Sequence, residues 1–207
     1  METLKKDPLF ELIESIYVEY NKLTENEEYV KVTNDLKRAN RLFVKGYREM
    51  DKDKTFYPNA NSTLRLTYGS ILPYSPEEGK EYDIYTTLKD GLQKEDPTNP
   101  EFHVPAKLKE LYNNKDFGRY ANDKGEMVVN FISNNDITGG NSGSPVINAD
   151  GHLIGTAFDG NWEAMSGDIF FEKDIQRTIS CDVRYVLFIV EKYGEALNLI
   201  EEMEIVE

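Results

Sequence analysis
The chain has 207 residues, 39% of them hydrophobic and 12% aromatic, which is enough apolar material for one sizeable core and too much for a disordered tail. A formal net charge of −14 and a pI near 4.7 argue against nucleic acid and anionic membrane surfaces as partners, since both would repel it. The single cysteine, Cys181, excludes an internal disulfide and a multi-cysteine zinc site; the sequence calls for no metal or cofactor, and no apolar run reaches the roughly 18–20 residues of a membrane span.

Taken in order, the chain opens with Asp7-Pro8, a helix cap followed by proline at the first helical position. Leu9, Leu12, Ile13, Ile16, Tyr17 and Tyr20 follow at helical spacing. Thr24 and Glu27 have the spacing of a capping box for a second helix, with Tyr29, Val32, Leu36, Ala39, Phe43 and Tyr47 as its stripe. The two predict an antiparallel helical hairpin that needs a further surface to pack on. Around Phe56-Tyr57-Pro58-Asn59-Ala60-Asn61 the composition changes to strand and turn, which places a boundary between residues 1–58 and 59–207. Leu64, Leu66 and Tyr68 alternate with Arg65 and Thr67, the period of a half-buried strand. Residues 73–79 are turn chemistry, Tyr82, Ile84 and Thr86 suggest a strand, and 89–101 reads as a surface loop. A short helix is expected from Ala106 to Tyr112, and a polar turn from Tyr120 to Gly125. Strands are expected over 127–132, 145–147, 152–158, 167–171 and 178–181. Asp182 caps a closing helix, and a second short helix runs from Glu195 to Met203.

The most informative stretch is Asp136 to Ile147, centred on Gly140-Asn141-Ser142-Gly143-Ser144-Pro145. A reactive serine needs open approach on one side and main-chain donors on the other, and flanking glycines permit both. Such a cluster is also ordinary turn composition. Its setting favours chemistry: an apolar strand enters it, and a hairpin through Asn148-Ala149-Asp150-Gly151 leaves it. Strand, glycine-rich serine loop and hairpin follow the order around the nucleophile of a chymotrypsin-like protease. In that fold Ser142 is the nucleophile, the amides of Gly140 and Ser142 form the oxyanion hole, and Ser144 is a wall residue.

The run from Ser133 to Pro145, together with Phe158-Asp159-Gly160-Asn161-Trp162-Glu163-Ala164-Met165-Ser166-Gly167-Asp168, resembles the bacterial serine dipeptidyl-peptidases of the dipeptidyl-peptidase 7 and 11 type. Phe56 to Arg65 and Asp182 to Phe188 are similar to the same family. The likeness covers most of this chain and only the C-terminal part of the family's length. It implies a mainly β fold with helical appendages: the end of a helical domain over 1–58, then the second barrel of a chymotrypsin-like domain and terminal helices over 59–207. It implies removal of dipeptides from a peptide substrate with a free N-terminus, with Phe158, Asp159 and Gly160 binding the substrate. Asp159 would hold the α-amine, and glycine at 160, where other members carry arginine, would admit an apolar side chain before the scissile bond. Trp162 and Phe170 read equally as pocket wall or core. The family's triad histidine and aspartate lie on an N-terminal barrel that this chain does not contain. His103 and His152, the two histidines present, read better as surface residues than as the base. The resemblance implies a periplasmic enzyme; no signal peptide opens this chain, so either the export signal lies upstream or this copy is not exported. Partners are then the missing barrel and, through the same exposed face, a second copy in a homodimer. The alternative is a non-catalytic fragment or interaction module of the same fold.

Overall fold
The computed structural model describes residues 6–53, 56–57, 62–167 and 169–206. The chain divides into two compact units, Met1–Pro58 and Asn59–Glu207. The segment 58–61, where the sequence changes character, lies outside the described residues, as does Asp168.

In the first unit, α1 spans Pro8–Thr24 and α2 spans Glu27–Met50. Asp7 caps α1 by accepting from the Leu9 amide at 2.8 Å, with Pro8 at the first turn. The capping box expected of Thr24 and Glu27 does not form. Asn26 is the cap instead, accepting from the Glu28 and Tyr29 amides at 2.9 and 3.3 Å. Thr24 ends α1, and its hydroxyl turns back to the Tyr20 carbonyl at 3.0 Å. The short carboxamide of Asn26 sits where both orphan amides of α2 are within reach, so it displaces the threonine two residues earlier. Neither helix has a buried residue; the stripe through Leu36 and Phe43 is exposed, so no apolar seam of a hairpin is formed.

The second unit is built on an antiparallel sheet in the order β3-β4-β7-β6-β5: Tyr85–Thr87, Val128–Ser133, Thr178–Asp182, Leu153–Gly160 and Pro145–Ile147. Phe131 faces Ser180, Thr156 faces Cys181 and Val146 faces Gly155. A separate hairpin pairs β1, Tyr74–Glu77, with β2, Lys80–Tyr82. Among the described residues the five-stranded sheet is open, and the expected closed barrel is not formed. Its edges are three-residue strands, and β5 begins at Pro145, which has no N–H to offer a further strand.

One face is covered by α4, Ala106–Asn113, α5, Val183–Phe188, and the segments around them. There Phe188, Phe117, Tyr120, Met127 and Leu88 form the apolar core. Phe188 is fully buried and meets Phe117 edge-on, with ring centroids 6.0 Å apart. The buried Tyr120 hydroxyl donates to Glu191, and burial followed by that carboxylate pushes its pKa up to about 12. Asp182 caps α5, accepting from the Arg184 amide at 2.9 Å and from its guanidinium. A π-helical turn, Ile189–Tyr193, leads to α6, Leu197–Glu201.

Several expectations are corrected. Residues 64–68 are extended but pair with no strand, and their faces are inverted. Leu64, Leu66 and Tyr68 are 101%, 84% and 87% exposed, while Arg65 and Thr67 turn inward. The alternation was correctly periodic; hydrogen bonds to the polar side outweigh burial of the apolar one. Residues 73–79 contain β1 and the turn at Gly79, whose φ is +82°. The strand expected over 82–86 is divided between β2, which ends at Tyr82, and β3, which starts at Tyr85, and between them the Asp83 side chain accepts from the Ile84 amide at 2.7 Å. The loop expected over 89–101 contains most of α3, Leu88–Leu92, which Thr87 and Asp90 close with a capping box. Among the described residues of 167–171 no strand forms: a 3-10 helix, Trp162–Ser166, precedes them, and Gln176 ties Ser166 to the Phe170 carbonyl.

Two stability measurements follow from the core. Phe188→Ala should lower unfolding free energy by about 3–5 kcal/mol, read from urea transitions. Because the Tyr120 pKa is raised on folding, its contribution is complete below pH ~10 and is lost as pH rises through 12. Tyr120→Phe should therefore remove that part of the alkaline loss of stability.

Candidate active site
The serine loop leaves β4 at Ser133 and is tied down from the start. The buried Asn134 accepts from the Ser70 amide at 2.7 Å, and its own amide donates to the Ser70 carbonyl at 3.0 Å. Gly69 is obligatory beside it, since a Cβ there would lie 2.6 Å from the Asn134 Oδ1 and 2.7 Å from the Asn135 nitrogen. A tight turn then forms between Thr138 and Asn141. The Asn141 amide donates to the Thr138 carbonyl at 3.1 Å, and the Thr138 amide donates to Asn141 Oδ1 at 3.1 Å. Gly140 and Gly143 have φ of +101° and +84°, which a residue with a Cβ adopts only under strain. Beyond the serine, the Gly143 amide donates to the Ala157 carbonyl at 2.8 Å and the Ala157 amide to the Ser144 carbonyl at 2.9 Å. The loop is thereby stitched onto β6.

Ser142 is exposed, and its Oγ donates to the Phe158 carbonyl at 3.3 Å. The Gly140 and Ser142 amides make no hydrogen bond among the described residues. Ser142, Phe158, Asp159 and Gly160 all line one cleft of about 320 Å³, with Ile137, Thr138 and Ala164 among the other walls. A register shift between Ala157 and Asp159, where β6 pairs with β7, brings these residues to its mouth. The Asp159 carboxylate accepts from the Gly160 amide at 2.8 Å. At Gly160 a Cβ would fall 2.9 Å from the Ala164 Cβ and 3.5 Å from Ile137 Cγ2. Its absence lets the 3-10 helix Trp162–Ser166 close over the strand end.

The histidines lie elsewhere. His152 lines a different groove with Asp150, Leu153 and Met203, and His103 ends the 3-10 turn Pro100–Phe102; neither lines the serine cleft. Trp162 and Phe170 are exposed and do not line it, and Ala164 and Met165 take that place. No group of His, Cys, Asp and Glu among the described residues is arranged to hold a metal ion.

Residues 1–205 match the family model described as Peptidase S46. The chain belongs to peptidase family S46. It is 51% identical over 207 residues to a dipeptidyl-peptidase 7 of Phocaeicola vulgatus, covering 100% of this chain and 28% of the relative. It is 47% identical over 206 residues to an Asp/Glu-specific dipeptidyl-peptidase of Porphyromonas gingivalis, again covering 28% of that protein. A crystal structure of Porphyromonas endodontalis DPP11 in complex with the dipeptide Arg-Glu superposes with a TM-score of 0.82 at 43% identity, over 95% of this chain and 28% of that one. The chain thus spans a little over a quarter of the length of the curated relatives it matches.

Two residues that hold the cleft in place were not singled out in the sequence for that role. Asn161, nearly buried, bonds Glu163 and the Ile175 carbonyl through Nδ2, both at 2.8 Å, and accepts from the Arg177 amide at 2.8 Å. Arg177 is 4% exposed, and its guanidinium donates to the carbonyls of Leu72, Pro73, Lys173, Asp174 and Gln176. Burial lowers its pKa from the usual arginine value. Nothing in an Asn-Trp or Gln-Arg pair marks such bonds, which join segments about a hundred residues apart. Asn161 lines the cleft and bonds the Arg177 amide, so the pair ties the cleft wall to the residue preceding β7. Asn161→Ala leaves the Arg177 amide and Ile175 carbonyl without that partner. The variant should lose roughly 2–4 kcal/mol in a urea unfolding measurement.

Proposed function
We propose that the chain is the nucleophile-bearing C-terminal portion of a serine dipeptidyl-peptidase that prefers an apolar residue before the scissile bond. The observation that carries this reading is the meeting of Ser142, Asp159 and Gly160 in one cleft, with the Gly140 and Ser142 amides making no hydrogen bond among the described residues. Ser142 Oγ attacks the substrate carbonyl, and the Gly140 and Ser142 amides receive the charge that develops on its oxygen. The attack releases the rest of the peptide and leaves a dipeptidyl ester, which water then hydrolyses. The Asp159 carboxylate pairs with the substrate's α-ammonium, so that the scissile bond is reached two residues in. Gly160 leaves the next wall uncharged, and burial of an apolar side chain there gains about 25 cal/mol per Å².

A base must take the serine proton, and neither His103 nor His152 lines the cleft. On this reading the histidine and aspartate come from the part of the relatives' length that this chain does not span, as a first barrel docked on the Ser142 face. The open sheet and the outward row of Leu64, Leu66 and Tyr68 suit a chymotrypsin-like second barrel completed by such a partner. Residues 1–58 are then the end of the helical domain, and the assembled enzyme is periplasmic. The same outward row and the lack of a histidine at the serine also favour the second reading, an interaction module, including one that forms a homodimer.

The test joins this chain to the remaining length of the Phocaeicola vulgatus relative. Leucine- and aspartate-bearing dipeptidyl reporters should be cleaved in favour of leucine, and Ser142→Ala should abolish turnover, by about 10⁶-fold. The 207-residue chain alone should show almost none. Gly160→Arg should reverse the preference by more than tenfold in each direction, since a guanidinium matches a carboxylate and opposes an apolar group. It must push the Ala164 methyl aside to do so, so Gly160→Arg with Ala164→Gly should have the higher kcat/KM for the aspartate reporter. Equal loss on both reporters would remove Gly160 from the specificity pocket, and turnover that survives Ser142→Ala would end the serine reading.

A further inference from the structure
The residue just before Ser142 is held from a distant part of the chain. Asn141 Oδ1 accepts from the Thr138 amide at 3.1 Å and from Arg65 Nη1 at 3.0 Å. The other arm of the same guanidinium, Nη2, donates to Asp136 Oδ2 at 2.9 Å, and Thr67 Oγ1 donates to the Asp136 carbonyl at 2.8 Å. Arg65 lies 71 residues before Asp136 and 76 before Asn141, so the bonds are wholly tertiary. The Arg65 and Asp136 side chains are only 14% and 16% exposed, which spares their ion pair much of the screening that weakens surface pairs.

Asn141 is also fixed through its main chain: its amide donates to the Thr138 carbonyl at 3.1 Å, and its carbonyl accepts from the Ser144 amide at 2.9 Å. In a planar trans peptide the C=O of Asn141 and the N–H of Ser142 point in opposite directions. A carbonyl held on Ser144 therefore aims the Ser142 amide the other way. The orientation of that amide depends on Asn141 staying in place, and Asn141 is anchored outside its own loop by Arg65. Lysine cannot substitute fully, because one ammonium lacks the planar fork that reaches a carboxylate and a carboxamide at once.

We infer that Arg65 is a positioning residue for the reaction at Ser142: it clamps Asp136 and Asn141 so that the Ser142 amide is preorganised toward the developing oxyanion. This rests on the reading of Ser142 as nucleophile. It assigns to the extended segment 64–68 a task in catalysis that its outward apolar face does not suggest. Interactions realised only in the transition state act on kcat and leave ground-state binding alone.

The test has two arms. In the 207-residue chain, amide exchange followed by NMR should show the Thr138, Asn141 and Ser144 amides of Arg65→Met losing at least tenfold protection relative to Ile132, whose amide bonds the Ile84 carbonyl. In the joined protein, Arg65→Met should lower kcat by about 10- to 100-fold with KM within threefold, and Arg65→Lys should recover part of it. Uniform loss of protection in loop and strand would mean a role in stability alone and overturn the inference, as would unchanged exchange at Thr138 and Asn141. Equal changes in kcat and KM overturn it too. If Arg65→Met does not fold, Arg65→Lys decides by the same two readings: unchanged loop protection together with unchanged kcat refutes the clamp. Turnover that survives Ser142→Ala in the joined protein ends the underlying reading instead, while the exchange arm still decides whether Arg65 orders the loop.

Discussion
Two hydrogen bonds between Gly143-Ser144 and Ala157 decide where the serine stands. They extend the β5–β6 ladder into the loop, so that the loop's far end becomes part of a sheet. β6 lies between β5 and β7 and is the longest strand of the five. It anchors Ser142 from one side and carries Phe158, Asp159 and Gly160 to the cleft on the other. The anchor of Ser142 and the cleft residues Phe158, Asp159 and Gly160 thus belong to one strand, which fixes their spacing. The positive φ of Gly143 is what allows the chain to turn into that ladder directly after the serine.

The sheet has two ends of different character. Toward α5 the packing is apolar, with Phe188, Phe117 and Met127 fully or nearly buried. Toward the cleft the buried side chains are polar: Asn134, Asn161, Gln176, Arg177 and Thr178. A polar interior stabilises less per residue than an apolar one, but each of its bonds has a direction and a length. The buried Arg177 guanidinium donates to main-chain carbonyls at 72–73 and at 173–176 and lies over the Tyr74 ring, and so joins two loops that lack regular structure. Apolar packing holds the far end together, and directional bonding shapes the end where chemistry is expected.

Legibility in the sequence followed the range of the forces. Elements defined by local periodicity and caps were readable: Asp7-Pro8, the strands at 128–133 and 153–160, and Asp182 before α5. The serine loop stood out because glycine and serine spacing is itself local, the Phe158-Asp159-Gly160 stretch was marked only by its family resemblance, and the structure brings them into one cleft. What failed depended on distant partners. Residues 64–68 alternate correctly, yet which face turns inward is decided by Asp136 and Asn141, some seventy residues away. Trp162 and Phe170 read as wall or core by size, but both are exposed, while the neighbouring polar Asn161 and Gln176 are buried and bond main-chain carbonyls. Closure of a barrel could not be read either, since strand pattern reports which residues alternate and not whether two edges meet.

The missing Cβ at Gly160 also constrains how such a site can diverge. Any side chain at 160 meets the Ala164 methyl at 2.9 Å, so the two positions are epistatic. A lineage that gains bulk at 160 while alanine remains at 164 passes through a strained intermediate, whereas one that first trims 164 or loosens the 162–166 turn does not. Bulk at 160 is therefore reached more readily in one mutational order than in the other. Reconstructed ancestors should record that order as a small or displaced residue at 164 preceding any charged residue at 160.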